Sequence, residues 1–390
     1  MSIRVSFVIA ARRTAIGRIG GLHKSRRIDE LAAPIIDVVL SDARLTREQV
    51  DEIIIGNTTG AGDNPARLIA LAAGLSEQTT AHTIDRQCAS GLEAVMSGVR
   101  LVATGGANIV IAGGVESPST APWRIVKPKT VYQMPRFQNS ALLGYGDSDD
   151  TNGADAAEQT AKKFGISRER QDLYALKSHL KAAAAQDAGG LTAEMVPFRV
   201  EAIEARDESL RPEMTGEILA QMPAYFPPDG TVTSGNRASI NDGAALSVIV
   251  SEEIYASLGR PPALRVVAGT TAGVRASEQG ISSAAAIHKL FQQSENVKFN
   301  DVKLIEFGEP FASQVLASLD ALKIDSDRVN KDGGAIALGN PLGANSAVLV
   351  TRLFSQMVRQ REETSSPPEF GLAALGATGG LGAATLFQAT

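Results

Sequence analysis

Asp85-Arg86-Gln87-Cys88-Ala89-Ser90-Gly91-Leu92-Glu93-Ala94-Val95 is the stretch on which the reading of this chain turns. It holds the only cysteine in 390 residues. A polar run leads into it, small residues surround it, and a helical pattern follows at once. Leu92, Val95, Val99 and Val102 recur at i, i+3, i+7 and i+10, which gives a helix one apolar face. The spacing predicts Cys88 at or just inside the helix N-terminus, where free N–H groups and the positive end of the helix dipole favour a thiolate. Taken locally, the cysteine has two readings: a small buried apolar side chain, or a nucleophile.

Outward from that helix, strand and helix patterns alternate, which is the mark of the α/β class. Residues 4–10 alternate as a strand, and Ile28–Leu40 has helical spacing. Asp51–Gly56 reads as a buried strand, a helix is expected from about Ala66 to Ala73, and Asn108–Ala112 is a strand closed by Gly113-Gly114. From about Ser117 to Pro228 the texture changes to prolines, turn residues and two helical stretches. One of these starts at Asp155, with Glu158 at capping-box spacing, and the other runs from about Arg168 to Gln186. This region reads as an excursion over a site. The last third repeats the layout of the first. Val302–Phe307 matches Asp51–Gly56, Phe370–Leu375 matches Asn108–Ala112, and Gly333–Ala344 precedes a helix as the Cys88 stretch does. Two similar halves packed together would place Cys88 and Asn340 at corresponding helix starts, both facing the junction.

Composition narrows the function classes. Apolar content of 44% supplies a large core, and a net charge of −5 argues against a nucleic-acid footprint. One cysteine excludes an intramolecular disulfide and a thiolate zinc site. The histidines, His23, His82, His179 and His288, form no metal-binding spacing and fall in expected surface loops or helices, so no metal is expected. No stretch reaches the roughly 18 apolar residues of a membrane span, and the first apolar run ends in Arg12-Arg13, the wrong charge order for a signal peptide. A soluble cytoplasmic protein is expected. The glycine-rich Gly376–Gly382 is followed by a β-like run instead of a helix, so it is no dinucleotide site. It remains a turn whose backbone N–H groups can meet an oxyanion.

With these segments in view, the chain resembles the thiolases over nearly its whole length. The resemblance rests on Arg13-Thr14-Ala15-Ile16-Gly17, Asn64-Pro65-Ala66-Arg67, Gln87-Cys88-Ala89-Ser90-Gly91-Leu92, Gly113-Gly114-Val115-Glu116-Ser117, Asn241-Asp242-Gly243-Ala244-Ala245 and Gly333 to Ala344, in that order. It implies a five-layered αβαβα fold of two duplicated halves, residues 1–118 with 241–262 and residues 263–390, around a loop domain at 119–240. It also implies a homodimer or homotetramer, and an acyl-CoA substrate with coenzyme A as substrate or product and no other cofactor. In the family, a cysteine at the Cys88 position takes an acyl group from acyl-CoA. Claisen condensation or its reverse, thiolysis, follows.

The same comparison implies four departures from the family pattern. The histidine of a Gly-His-Pro turn is Asn340, and the second cysteine of a Cys-x-Gly turn is Gly376. The asparagine of an Asn-Glu-Ala-Phe segment is Gly308, with Phe311 at its end, and the loop-domain histidine position falls at Asn152. A CoA-contacting serine is Ala238. The resemblance therefore puts Asn152, Ala238, Gly308 and Phe311 at the substrate, and an oxyanion hole at the backbone N–H groups of Cys88 and Thr378. Asparagine cannot exchange a proton near neutral pH, and positioned proton transfer contributes about 10²–10⁴-fold in rate. Glu309 is the nearest titratable substitute, or else a buried structural carboxylate. Three outcomes are open: a Cys88 acyltransferase with altered or impaired condensation, a silent homologue that binds acyl thioesters or a partner subunit, and a Cys88-dependent thioester hydrolase.

Overall fold

The computed structural model describes residues 4–60, 62–137, 153–198, 206–294, 296–361 and 367–390, with only the backbone of residue 276. In chain order, β1 (Ser6–Arg13), β2 (Gly17–Arg18), α1 (Ile28–Ala43), β3 (Glu52–Gly56), α2 (Pro65–Ala72), β4 (Thr80–Ile84), α3 (Ser90–Ala103) and β5 (Ile109–Glu116) form the first run. The excursion carries β6 (Ile125–Val126), β7 (Arg136–Phe137), α4 (Gly153–Phe164), α5 (Arg168–Asp187) and α6 (Gly216–Gln221). β8 (Asn241–Ser251), α7 (Glu252–Ser257), β9 (Leu264–Gly273), α8 (Ser282–Gln293), β10 (Val302–Phe307) and α9 (Ala312–Leu322) come next. The chain closes with α10 (Ala335–Leu338), α11 (Leu342–Phe354), β11 (Phe370–Ala377) and β12 (Leu381–Ala389).

The duplication expected from element order is present in the strand pairing. β3 and β5 are parallel, while β5–β8 and β8–β1 are antiparallel. In the same way β10 and β11 are parallel, while β11–β12 and β12–β9 are antiparallel. A short pairing of Phe7 with Arg265 and Val8 with Leu264 links β1 to β9, and β4 extends the first half at its outer edge.

Alternate residues of each strand face different layers, as the pleat requires. Ile53 and Ile55 pack with Ile35 of α1 and Ile69 of α2 in one core. Ile54, Val110 and Ala112 face the opposite way, onto Leu92 and Val95 of α3 and Leu349 and Leu353 of α11. That central layer also receives Ala373, Leu375 and Phe387 from the second half. Leu372, Ala374 and Leu386 face outward onto Ile287 of α8 and Val315 of α9. The result is five layers with α3 and α11 in the middle.

Glycines set how closely those two helices meet. A Cβ on Gly91 would lie 2.8 Å from the Gly343 carbonyl oxygen and 2.9 Å from Ala347 Cβ. One on Gly114 would lie 2.6 Å from Ala344 Cα. Gly113-Gly114 was expected to close its strand. Instead β5 runs through both and on to Glu116: Gly113 lets the backbone of β8 at Ala245 come close, and Gly114 makes room for the start of α11. The Leu92 amide, one of the first free N–H groups of α3, donates to Ser346 Oγ at 2.9 Å and so ties the helix starts together.

Two further expectations change. α4 begins at Gly153, ahead of Asp155, and Glu158 makes no capping box: its carboxylate accepts from the Thr231 and Val232 amides at 2.8 and 2.9 Å. His23 and His179 are buried rather than at the surface, and burial lowers both pKa values, His179 to about 4. Both are neutral structural groups.

The excursion packs chiefly on the second half, where Ala161, Tyr174 and Ala175 join the core of α8 and α9. It is also tied to both halves through buried charge. Glu194 accepts from Arg13 Nε at 2.6 Å and from Arg352 Nη1 at 2.5 Å, and Arg13 also meets Asp207 at 2.7 Å, with the Arg13 and Glu194 side chains fully buried. Removing one partner of a buried ion pair leaves the other unpaired and costs about 3–5 kcal/mol. Glu194→Gln is therefore expected to lower the unfolding free energy by roughly that amount in urea denaturation. A loss below about 1 kcal/mol would show that the cluster does not hold the excursion down.

Candidate functional site

Cys88 sits in a tight turn that its neighbours specify. Gln87 is held in the left-handed region at φ 51, which a side chain adopts only under constraint. The constraint is a local hydrogen-bond net. Asp85 Oδ1 accepts from the Gln87 amide at 2.9 Å, Ser90 Oγ accepts from the Arg86 amide at 2.7 Å, and the same hydroxyl donates to the Gln87 carbonyl at 2.6 Å. This explains the polar run before the cysteine and the serine after it. The helix begins at Ser90, so Cys88 lies two residues ahead of it, outside the first turn where the sequence pattern predicts it.

That displacement matters for the thiol. Instead of stabilising a thiolate, the site pushes the Cys88 pKa up to about 11, first through burial and next through the negative charge of Glu116, with Asp85 adding to it. Glu116 is itself fully buried and held above the usual carboxylate range by burial. Its oxygens accept from the Thr58 hydroxyl at 2.7 Å, the Thr59 hydroxyl at 2.6 Å and the Gly343 amide at 3.2 Å, so it pins the start of α11 to the first half.

The thiol opens on a small cleft lined by Cys88, Gly153, Gln279, Pro310, Phe311, Gln314, Gly376, Ala377 and Thr378. Cys88, Phe311, Gly376 and Thr378 are thus brought together as the sequence suggested. The lining also includes Gln279 and Gln314, which sequence reasoning missed because neither belongs to a recognisable motif.

The other sequence-derived candidates lie elsewhere. Glu309 is buried and saturated: it accepts from Tyr174 Oη at 2.7 Å, Ser178 Oγ at 2.9 Å, Asn330 Nδ2 at 2.5 Å and the Ile336 amide at 3.1 Å. It is a structural carboxylate and does not line the cleft. Ala238 is buried behind the site, its amide donating to the Pro310 carbonyl at 3.1 Å. Gly308 pairs with Ala374, and a Cβ there would lie 2.5 Å from Leu375 Cβ, so no room remains for a longer side chain. Gly376 is similarly crowded, since a Cβ would lie 2.7 Å from Ser282 Oγ, whose hydroxyl is engaged with the Gln279 carbonyl at 2.8 Å. Asn152 lies outside the described residues.

Asn340 follows Gly339, whose φ of 107 favours glycine. Its amide donates to the Ser239 carbonyl at 3.0 Å and to Asn241 Oδ1 at 3.1 Å. Asn241 in turn donates from Nδ2 to the Gly17 carbonyl at 2.8 Å, so the segments around Arg13, Asn241 and Asn340 form one interlocked unit. Asn340 Oδ1 is buried with no hydrogen-bond partner, an orphaned acceptor in a well-satisfied turn.

The arrangement supplies a neutral thiol, backbone turns and amide side chains. Among the described residues lining the cleft, Cys88 is the only titratable one. The raised pKa favours the protonated form, so the thiol is largely protonated at pH 7. Iodoacetamide labelling, followed by intact mass on this single-cysteine chain, is expected to speed up roughly tenfold per pH unit from pH 7 to 10. A rate that levels off below pH 9 would contradict the geometry.

Comparison with known proteins bears on this site. Residues 6–253 match the family model described as thiolase, N-terminal domain, and residues 260–389 match thiolase, C-terminal domain. A Staphylococcus epidermidis protein provisionally named acetyl-CoA C-acetyltransferase VraB is 38% identical over 384 residues, covering 98% of this chain and 97% of that protein. Among solved structures, the Bacillus anthracis acetyl-CoA acetyltransferase superposes with a TM-score of 0.92 at 32% identity, covering 100% of both chains. Human mitochondrial 3-ketoacyl-CoA thiolase in complex with CoA gives a TM-score of 0.90 at 32% identity, covering 100% of this chain and 99% of that one.

Proposed function

Because this chain belongs to the thiolase family, we propose that it is an acyltransferase that accepts an acyl group from acyl-CoA on Cys88, with the condensation step impaired. One observation carries the reading: the only thiol in the chain lines a cleft that holds no other titratable side chain among the described residues. In the transfer, Cys88 Sγ bonds to the thioester carbonyl carbon, the bond from that carbon to the CoA sulfur breaks, and the thiol proton leaves on CoA. The oxygen that gains charge on the way would be met by the backbone N–H groups of Cys88 and Thr378. Returning the acyl group to a thiol, or to water, regenerates the Cys88 thiol. Condensation needs in addition a base for the α-proton of a second thioester, and no lining group supplies one. With burial and Glu116 pushing its thiol pKa up to about 11, the free protein is a slow nucleophile.

Intact mass spectrometry after incubation with acetyl-CoA is expected to show an acetyl adduct that is absent in Cys88→Ala. No adduct with acetyl-CoA or longer acyl-CoAs would leave the second reading, a thiolase homologue that binds without turnover, which the raised thiol pKa favours. If an adduct forms, release of free acid would mark the third reading, a thioester hydrolase.

The crowding at Gly376 makes a second expectation specific. Asn340→His with Gly376→Cys restores the family side chains by name but sets a Cβ against Ser282 Oγ. Thiolysis of acetoacetyl-CoA should therefore stay near the wild-type level in that double variant. It should rise at least about tenfold when Ser282→Ala is added. Equal rates in the double and triple variants would mean that Ser282 does not occupy the reactive space.

A homodimer or homotetramer is part of this reading. β4 ends the sheet without a further strand among the described residues, an edge that soluble proteins rarely leave open. Light scattering that returns a monomer mass would count against it.

A further inference from the structure

The described polar groups that line the cleft with Cys88 are all neutral, and two of them are carboxamides, Gln279 and Gln314. Gln279, only 8% exposed, is oriented by one contact: its Oε1 accepts from the Gly379 amide at 3.2 Å. With the carbonyl end committed, the Nε2 end is the part left to face the cleft that this residue lines. Gln314, half-buried on the first turn of α9, lines the same cleft, and so does Thr378. No lysine, arginine or carboxylate joins them among the described lining residues. Phe311, Pro310 and Ala377 supply the apolar remainder.

A cleft built for a plain alkyl chain would not hold a tethered carboxamide. A desolvated amide left unpaired by its ligand weakens binding, whereas one that finds a partner discriminates strongly in favour of it. Nor is there a cation among the described lining residues to balance a charged acyl chain. The group that fits is neutral and able both to accept from Gln279 Nε2 and to donate to the Gln314 carbonyl oxygen. A hydroxyl does both.

Resting on the reading of Cys88 as the acyl-accepting site, we propose that Gln279 and Gln314 are specificity-determining residues. They select short acyl thioesters that carry a hydroxyl on the acyl chain over alkyl and carboxylate-bearing ones.

The test separates binding from transfer. Isothermal titration of the Cys88→Ala chain with 3-hydroxybutyryl-CoA, butyryl-CoA and succinyl-CoA reads acyl preference without any reaction. The hydroxyacyl ester is expected to bind about tenfold tighter than the other two, the size of one well-made hydrogen bond. Adding Gln279→Met or Gln314→Met should bring 3-hydroxybutyryl-CoA and butyryl-CoA to equal affinity. Using two variants guards against the loss of the Gly379 contact disturbing the fold in one of them. Equal affinities in Cys88→Ala, a preference that survives both glutamine changes, or no binding of any ester would overturn the proposal. Adduct formation on the wild-type chain is scored separately. A hydroxyl preference without an adduct upholds this inference and removes only the transfer reading.

Discussion

The close approach of α3 and α11 is the constraint on which the rest of the molecule depends. Each helix belongs to a different half, and both sheets pack their inner faces against this pair. Gly91 and Gly114 lack side chains because any Cβ there would meet the backbone of the α11 start. The Leu92 amide then finds Ser346, and Glu116 finds the Gly343 amide. A buried N–H or carboxylate without such a partner would cost far more than the bond itself contributes. Polar satisfaction and close packing therefore point to the same geometry. Its by-product is a cleft at the junction, with Cys88 on one side and the β11 end on the other.

Charge decides what that cleft can do. Glu116 is needed where it is to join the halves, yet its proximity and the burial of the thiol raise the Cys88 pKa together. Were a protonatable partner present beside the thiol, it would offset this by taking the proton as the bond forms. Here the corresponding turn carries Asn340, with its Oδ1 unpartnered. The space beside Gly376 is taken by Ser282, and that beside Gly308 by Leu375. The missing groups have not left holes. Ser282 Oγ and Leu375 Cβ already occupy the room a Cβ would need at Gly376 and Gly308.

Much of this was legible in the chain itself. The duplicated order of strands and helices, the helix after Cys88 and the structural part of each motif follow from periodicity and turn chemistry. Glu309 is an instance where the sequence left two roles open and the structure chose one, because four donors surround its carboxylate. The histidines went the other way. His23 and His179 looked like surface groups, but their helix and loop settings say nothing of what packs on top, and both are buried.

By itself, the sequence determined the α/β class, the two-half layout and the place of the one thiol in the chain. It also showed that neither Asn340 nor Gly376 can exchange a proton near neutral pH, since these properties reside in local order and residue type. Only the tertiary structure decided that the Cys88 pKa is pushed up, because that depends on burial and on Glu116, 28 positions away in the chain. It alone decided that β5 runs through Gly113-Gly114, since the reasons are the β8 backbone beside Gly113 and the α11 backbone arriving at Gly114 from the other half. And it alone placed Gln279 and Gln314 beside the thiol, because contacts across a junction leave no periodic trace in the segments that make them.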